Sequence, residues 1–175
     1  MKIRDLTIVL SALLVVSFFA GCGGAPQKVI LPANVSADIA VLSLGADTSS
    51  LNQDQIDLLQ RSLDWMDRDI ISSLARKGFN AFHIKNEDEF TGAGNSHLLK
   101  IAITDHKMIP KGARFLAGMM AGADRLNAHY DLVNAKGETV LSWDDVQAST
   151  KGGTYCAQTL NRNAVEKVAT FLSAQ

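Results

Sequence analysis

Apolar residues recur along this chain at two different spacings, and the spacing assigns the elements. Between Asn52 and Lys77, Ile56, Leu59, Leu63, Met66, Ile70 and Leu74 follow one another at three- and four-residue intervals, with Gly78 just past the end. That is the period of an amphipathic helix with a glycine stop. Its other face sets Asp57 four residues ahead of Arg61 and Asp64 four ahead of Arg68, the favourable orientation for helical ion pairs on a solvated surface. Ala37 to Leu44 (ADIAVLSL) is a nearly continuous apolar run, the signature of a strand covered on both faces, and Phe79 to Ile84 reads as a second strand. A strand, a long helix and a strand predict a right-handed crossover joining parallel neighbours.

Downstream the period changes to two. From Leu98 to His106, Leu99, Ile101 and Ile103 alternate with Lys100, Ala102 and Thr104, and from Asn127 to Val133 the apolar members are Ala128, Tyr130 and Leu132. Asn134-Ala135-Lys136-Gly137 is a turn signal, and Thr139 to Val146 then places Leu141 and Trp143 on one side. Residues 126–147 therefore read as a hairpin. Tyr155 to Ala174 returns to helical spacing through Leu160, Ala164, Val168 and Phe171 or Leu172. The predicted fold is α+β with an α/β-like start: a mixed sheet of about five strands in β-α-β-β-β-β-α order, with the long helix and the C-terminal helix packed on it.

Lys107 to Asp124 fits neither period. A structureless loop of this length is uncommon inside a domain unless it is functional or hides a short helix. Seven of the nine residues from Phe115 to Ala123 are apolar and the other two are Gly118 and Gly122. The Gly118-x-x-x-Gly122 spacing packs helices within membranes, but this run is too short to span one. An apolar segment outside the periodic core is a packed short helix or a contact site. Phe115, Leu116, Met119 and Met120 are its candidate interaction residues. The alternative is a small-ligand pocket near residues 107–124.

At the N-terminus, Lys2 and Arg4 precede an apolar run from Leu6 to Ala20, a secretory signal too short for a comfortable span. Phe19-Ala20-Gly21-Cys22 resembles the lipobox of bacterial lipoproteins, in which Leu, two small residues and Cys are usual; Phe19 stands in the Leu place. The resemblance implies that residues 1–21 are removed and that Cys22 carries a diacylglycerol thioether and an amide-linked acyl chain. Several chains make an effectively permanent anchor. Gly23, where an inner-membrane retention signal has Asp, implies the periplasmic face of the outer membrane of a Gram-negative bacterium. The domain plan is then a signal peptide over 1–21, a lipidated cysteine and tether over 22–35, and one globular domain over 36–175. Within the tether, Gly23 to Gln27 is flexible by composition and Pro32-Ala33-Asn34 is punctuation.

Losing Lys2, Arg4 and Asp5 from a chain with 17 basic and 18 acidic side chains leaves a net charge of −2. No basic field exists to attract phosphate backbones, which argues against nucleic acid as a partner. With Cys22 lipidated, Cys156 is the one remaining thiol, so no internal disulfide forms and a buried, inert role is expected. No HExxH, GxSxG, phosphate-loop or CxxC motif occurs. Gly92-Ala93-Gly94 begins like a dinucleotide fingerprint but runs into a strand. His83, His97, His106 and His129 lack metal-site spacing, and neither Glu87-Asp88-Glu89 nor Asp144-Asp145 has the spacing of a calcium loop. Adjacent strand carboxylates such as Asp144 and Asp145 point to opposite faces. No catalytic residue and no cofactor are expected.

Arg114, the Gly/Ala-rich run after it, a strand ending in Asp131-Leu132-Val133 and the Lys136-Gly137 turn resemble a group of bacterial lipoproteins, the domain of unknown function 4410 family, over residues 36–172. Met119-Met120 departs from the Gly-rich turn usual there. The resemblance implies fold and envelope location and supplies no catalytic residue. Two functional classes follow: a non-catalytic interaction or structural module of the envelope, tethered to the membrane and docking on an envelope protein, or a periplasmic small-ligand binder or enzyme with a pocket near 107–124.

Overall fold

β1 (Asp38–Ala46) lies inside the sheet and buries side chains on both faces: Ile39 and Val41 on one, Ala40 and Leu42 on the other. The near-continuous apolar run is the sequence trace of that position. In the computed structural model, which describes residues 37–117 and 122–175, β1 is followed by α1 (Gln53–Arg76). A capping box starts this helix: Asn52 Oδ1 accepts from the Gln55 amide at 3.0 Å and Gln55 Oε1 accepts from the Asn52 amide at 3.2 Å. β2 (Asn80–His83) returns parallel to β1, in register from Asp38↔Asn80 to Val41↔His83.

A 3₁₀ turn (Glu87–Glu89) leads to β3 (Ser96–Lys107), which runs parallel to β1 along its other edge with a bulge between Ser43 and Gly45. The chain then forms α2 (Lys111–Ala117), β4 (Asp124–Asn134), β5 (Thr139–Ser149) and α3 (Gly153–Ser173). β3, β4 and β5 pair antiparallel, and the sheet order is β2-β1-β3-β4-β5. The fold is the expected α+β mixed sheet of five strands, with α2 as a short helix inside the aperiodic 107–124 segment.

Both long helices cover the same face. Leu59, Met66, Ile70 and Leu74 of α1 meet Leu160, Ala164, Val168 and Leu172 of α3 over Val41, Leu99, Ile101, Leu126, Tyr130 and Leu132. Burial of each large side chain there contributes about 1.5–3 kcal/mol. Tyr130 and Trp143, opposite each other across β4 and β5, stack with ring centroids 4.8 Å apart at 8°. The other sheet face keeps a small apolar cluster of Ala40, Leu42, Ile84, Leu98 and Val133 under Phe90. Among the described residues, no helix packs over the rest of that face.

The outer surface of α1 differs from expectation in one respect. The Asp57 carboxylate accepts from Gln53 at 2.8 Å and Asp64 from Gln60 at 2.8 Å, while Arg61 Nε donates to the Asp57 carbonyl at 3.0 Å. Glutamine amides, one turn earlier, take the carboxylates in place of the arginines. Among the described residues, no helix is long and apolar enough to cross a membrane.

Candidate functional site

The segment from Lys107 to Asp124 is fastened at its base. Met108 and Ile109 are buried, the Ile109 amide donates to Asp124 Oδ1 at 2.8 Å, and Gln55 Nε2 donates to the Met108 carbonyl at 3.2 Å. Cys156 Sγ, 1% exposed at the start of α3, reaches the Asp124 carbonyl at 3.5 Å. These contacts close the stem onto the core. Above it α2 carries Phe115 at 89% and Leu116 at 86% exposure, the highest among the exposed large hydrophobic residues described. An isolated exposed leucine is ordinary, but a Phe-Leu pair held out on a closed stem is the kind of apolar projection that marks a contact site. Met119, Met120 and Cys22 lie outside the described residues.

A polar array occupies the open face of the sheet. His129 Nδ1 lies 2.8 Å from Asp144 Oδ1, and Nε2 lies 3.4 Å from both Asp131 Oδ1 and Ser142 Oγ. The register puts His129 opposite Asp144 and Asp131 opposite Ser142. The hydrogen bond with Asp144, reinforced by the charge of Asp131, raises the imidazole pKa above its ordinary value. A serine, a histidine and an aspartate in this order invite comparison with a nucleophilic triad. Here a second carboxylate, Asp131, competes with Ser142 for Nε2.

The other histidines are separate. His83 Nε2 hydrogen-bonds the Asp67 carbonyl at 2.7 Å and His106 Nε2 the Asp47 carbonyl at 2.6 Å, while burial lowers the pKa of His97. Among the described residues, no group of three His, Cys, Asp or Glu side chains could hold a metal ion. Asp144 and Asp145 do part company: Asp145 Oδ2 accepts from Asn163 of α3 at 2.8 Å, on the covered face. Gly92, the first glycine of the abandoned fingerprint, is needed for close approach. A Cβ there would stand 2.4 Å from the Ala135 carbonyl oxygen of the hairpin turn.

A cleft of about 330 Å³ opens between the N-terminal half of α1 and the last residues of β1. Ile56, Leu63 and Met66 form its apolar wall, and Ser43, Thr48 and Asp67 bring polar groups to it. None of residues 107–124 lines it. The stem packs Met108 and Ile109 into the core, and α2 exposes Phe115 and Leu116.

No family model and no curated protein matches the chain. Among solved structures, two crystal forms of the PelC dodecamer from Paraburkholderia phytofirmans resemble it, at TM-scores of 0.49 and 0.48 with 15% and 14% identity. They cover 83% and 80% of this chain and 94% and 90% of theirs. A Helicobacter pylori protein described as a homolog of neuraminyllactose-binding hemagglutinin follows at a TM-score of 0.38 and 8% identity, covering 83% of this chain and 87% of its own. Likenesses this distant assign neither family nor function to the chain.

Proposed function

We propose that this chain is a lipid-anchored periplasmic module of the outer membrane that works by docking rather than by catalysis, with α2 as the docking element. The observation that carries the reading is the pair Phe115 and Leu116, 89% and 86% exposed on a stem that Asp124 and Ile109 close. An apolar tip displayed at a cost to solvation, on a base that holds its direction, suits recognition by an envelope protein. The lipobox-like Phe19-Ala20-Gly21-Cys22 and the following Gly23 support lipidation at Cys22 and the outer-membrane address.

Substituting Phe115→Asp together with Leu116→Asp in the full-length chain tests the docking element. Thermal stability should stay within about 0.5 kcal/mol of the unsubstituted protein, as for exposed positions generally. Envelope proteins that co-purify with the unsubstituted chain should be lost. Unfolding of the variant would assign these residues to the core, and retention of the same co-purifying proteins would remove the docking role. Anchoring is tested separately: Cys22→Ser should abolish incorporation of labelled palmitate, and Gly23→Asp should move the protein to the inner-membrane fraction of a density gradient.

A further inference from the structure

The sheet has an unfilled place. β1 runs nine residues but β2 only four, and their pairing ends at Val41↔His83, where the Ile84 amide donates to the Val41 carbonyl. Outward-pointing peptide groups recur every second residue along a parallel ladder. Ala37 and Val41 give their carbonyls to β2, so Ser43 is the next residue to turn its amide and carbonyl that way, and no described strand stands opposite it. Open strand edges of this kind are templates for another chain, and native proteins cover or disrupt them. The cleft described above borders this place: Ser43 lines it beneath α1, with Ile101 and Ile103 of β3 at its back.

That slot has the attributes of a strand-addition groove: a free edge to hydrogen-bond a backbone, with an amphipathic helix beside it to receive alternate side chains. Side chains turned toward α1 would meet Ile56, Leu63 and Met66. Those turned the other way would meet Leu44 and Phe82, 59% and 44% exposed on the open sheet face. Both sides offer apolar contacts, and the cleft side adds the polar groups of Ser43, Thr48, Gln60 and Asp67, so the fitting occupant is a short apolar run with a polar or charged residue at one end. The rim carries an acid: Asp67 lines the cleft and accepts from Ser43 Oγ at 2.5 Å.

The chain itself contains such a segment. Lys28-Val29-Ile30-Leu31 is a cation followed by three apolar residues of high strand propensity, set in the tether between Cys22 and β1 and followed by Pro32. We propose that Lys28–Leu31 of one copy adds as a strand along Ser43 in the slot of a second copy, with Lys28 toward Asp67. Reach decides between own and neighbouring slot. From Ala37 back to Leu31 the extended chain spans about 20 Å, and from Ala37 to Ser43 along β1 the distance is also about 20 Å. Leu31 would reach its own slot only along a straight line through the space that β2 fills. Donation to a neighbour carries no such conflict, and since donor and acceptor surfaces differ, it is head-to-tail and builds a ring or a chain of copies. This contact depends on neither lipidation nor α2.

Cysteine pairing in the full-length chain tests it. With Ile30→Cys and Leu44→Cys introduced together, oxidation of intact cells should give a ladder of covalent multimers that reductant collapses. Ile30→Asp, outside the described residues, should leave the melting temperature unchanged and reduce the detergent-solubilised protein to a monomer by sedimentation. Ser43→Pro, which removes an outward amide at an edge where proline is tolerated, should likewise give a monomer. A cross-link formed only within one chain would overturn donation between copies. Absence of any cross-link, or multimers that persist in the Ile30→Asp protein, would overturn the groove assignment, and neither result would bear on docking through α2.

Discussion

Asn161 of α3 donates its Nδ2 to the Met66 carbonyl of α1 at 2.8 Å and to Asp69 Oδ2 at 3.1 Å, a buried polar tie inside a largely apolar helix contact. Asn161 is fully buried, so removing the amide leaves Asp69 with one donor fewer. Asn161→Ala should lower the free energy of unfolding by about 1–3 kcal/mol in urea titrations. Asn161→Asp should be worse, since it sets a second carboxylate against Asp69. An aspartate variant more stable than the alanine variant would show that the amide donor is not what matters.

Gly153 opens α3 where the helix comes closest to the rest of the core. A Cβ at this position would lie 2.7 Å from Ser62 Oγ and 2.9 Å from Met108 Sδ. Gly153→Ala should therefore destabilise by about 1–3 kcal/mol through overpacking. Adding Ser62→Ala should restore part of the loss, because it removes the nearest obstructing atom. Additive destabilisation in the double variant would mean that the helix has simply moved aside.

Cys156 should behave as an interior group. It is 1% exposed and directs Sγ at the Asp124 carbonyl, so a maleimide should label it slowly in folded protein and rapidly in denaturant. Fast labelling without denaturant would place the start of α3 in exchange with solvent.

Two histidines give stability opposite slopes with pH. His129 has its pKa raised by the hydrogen bond with Asp144 and by the nearby Asp131 charge. Its contribution is complete below the unfolded value of about 6.5 and is lost as pH rises through the folded value. His97 has its pKa lowered by burial, so its contribution is present above about 6.5 and is lost as pH falls through the folded value. Urea titrations from pH 5 to 9 should show the alkaline arm flatten in His129→Gln and the acid arm flatten in His97→Gln. The first effect should be small, since the imidazole is solvent-screened. Interchange of the two arms would reverse the assignment.

Periodicity was enough to read α1, β3, β4, β5 and α3, because each buries one regular face: Leu59, Met66, Ile70 and Leu74 in α1, or Leu126, Ala128, Tyr130 and Leu132 in β4. It was silent on α2, where Phe115 and Leu116 face solvent and leave no amphipathic trace. Nor does a period name neighbours. That β2 ends up at the edge while β3 crosses to the far side of β1 depends on long-range pairing. The meeting of His129, Asp131 and Asp144 depends likewise on the register of β4 against β5. The Asp57 and Asp64 carboxylates went to Gln53 and Gln60, a local choice between equally spaced partners that charge counting does not resolve.

The Ile109–Asp124 hydrogen bond has a consequence for how this protein can change over generations. It fixes the distance between the two ends of the intervening stretch, so the sheet receives β4 at the same place whatever lies between. Lengthening a closed loop costs only about 0.6 kcal/mol per doubling. Insertions, deletions and exchanges between Pro110 and Ala123 should therefore be nearly free for the fold, and variants differing there could diverge in what they recognise while sharing one scaffold.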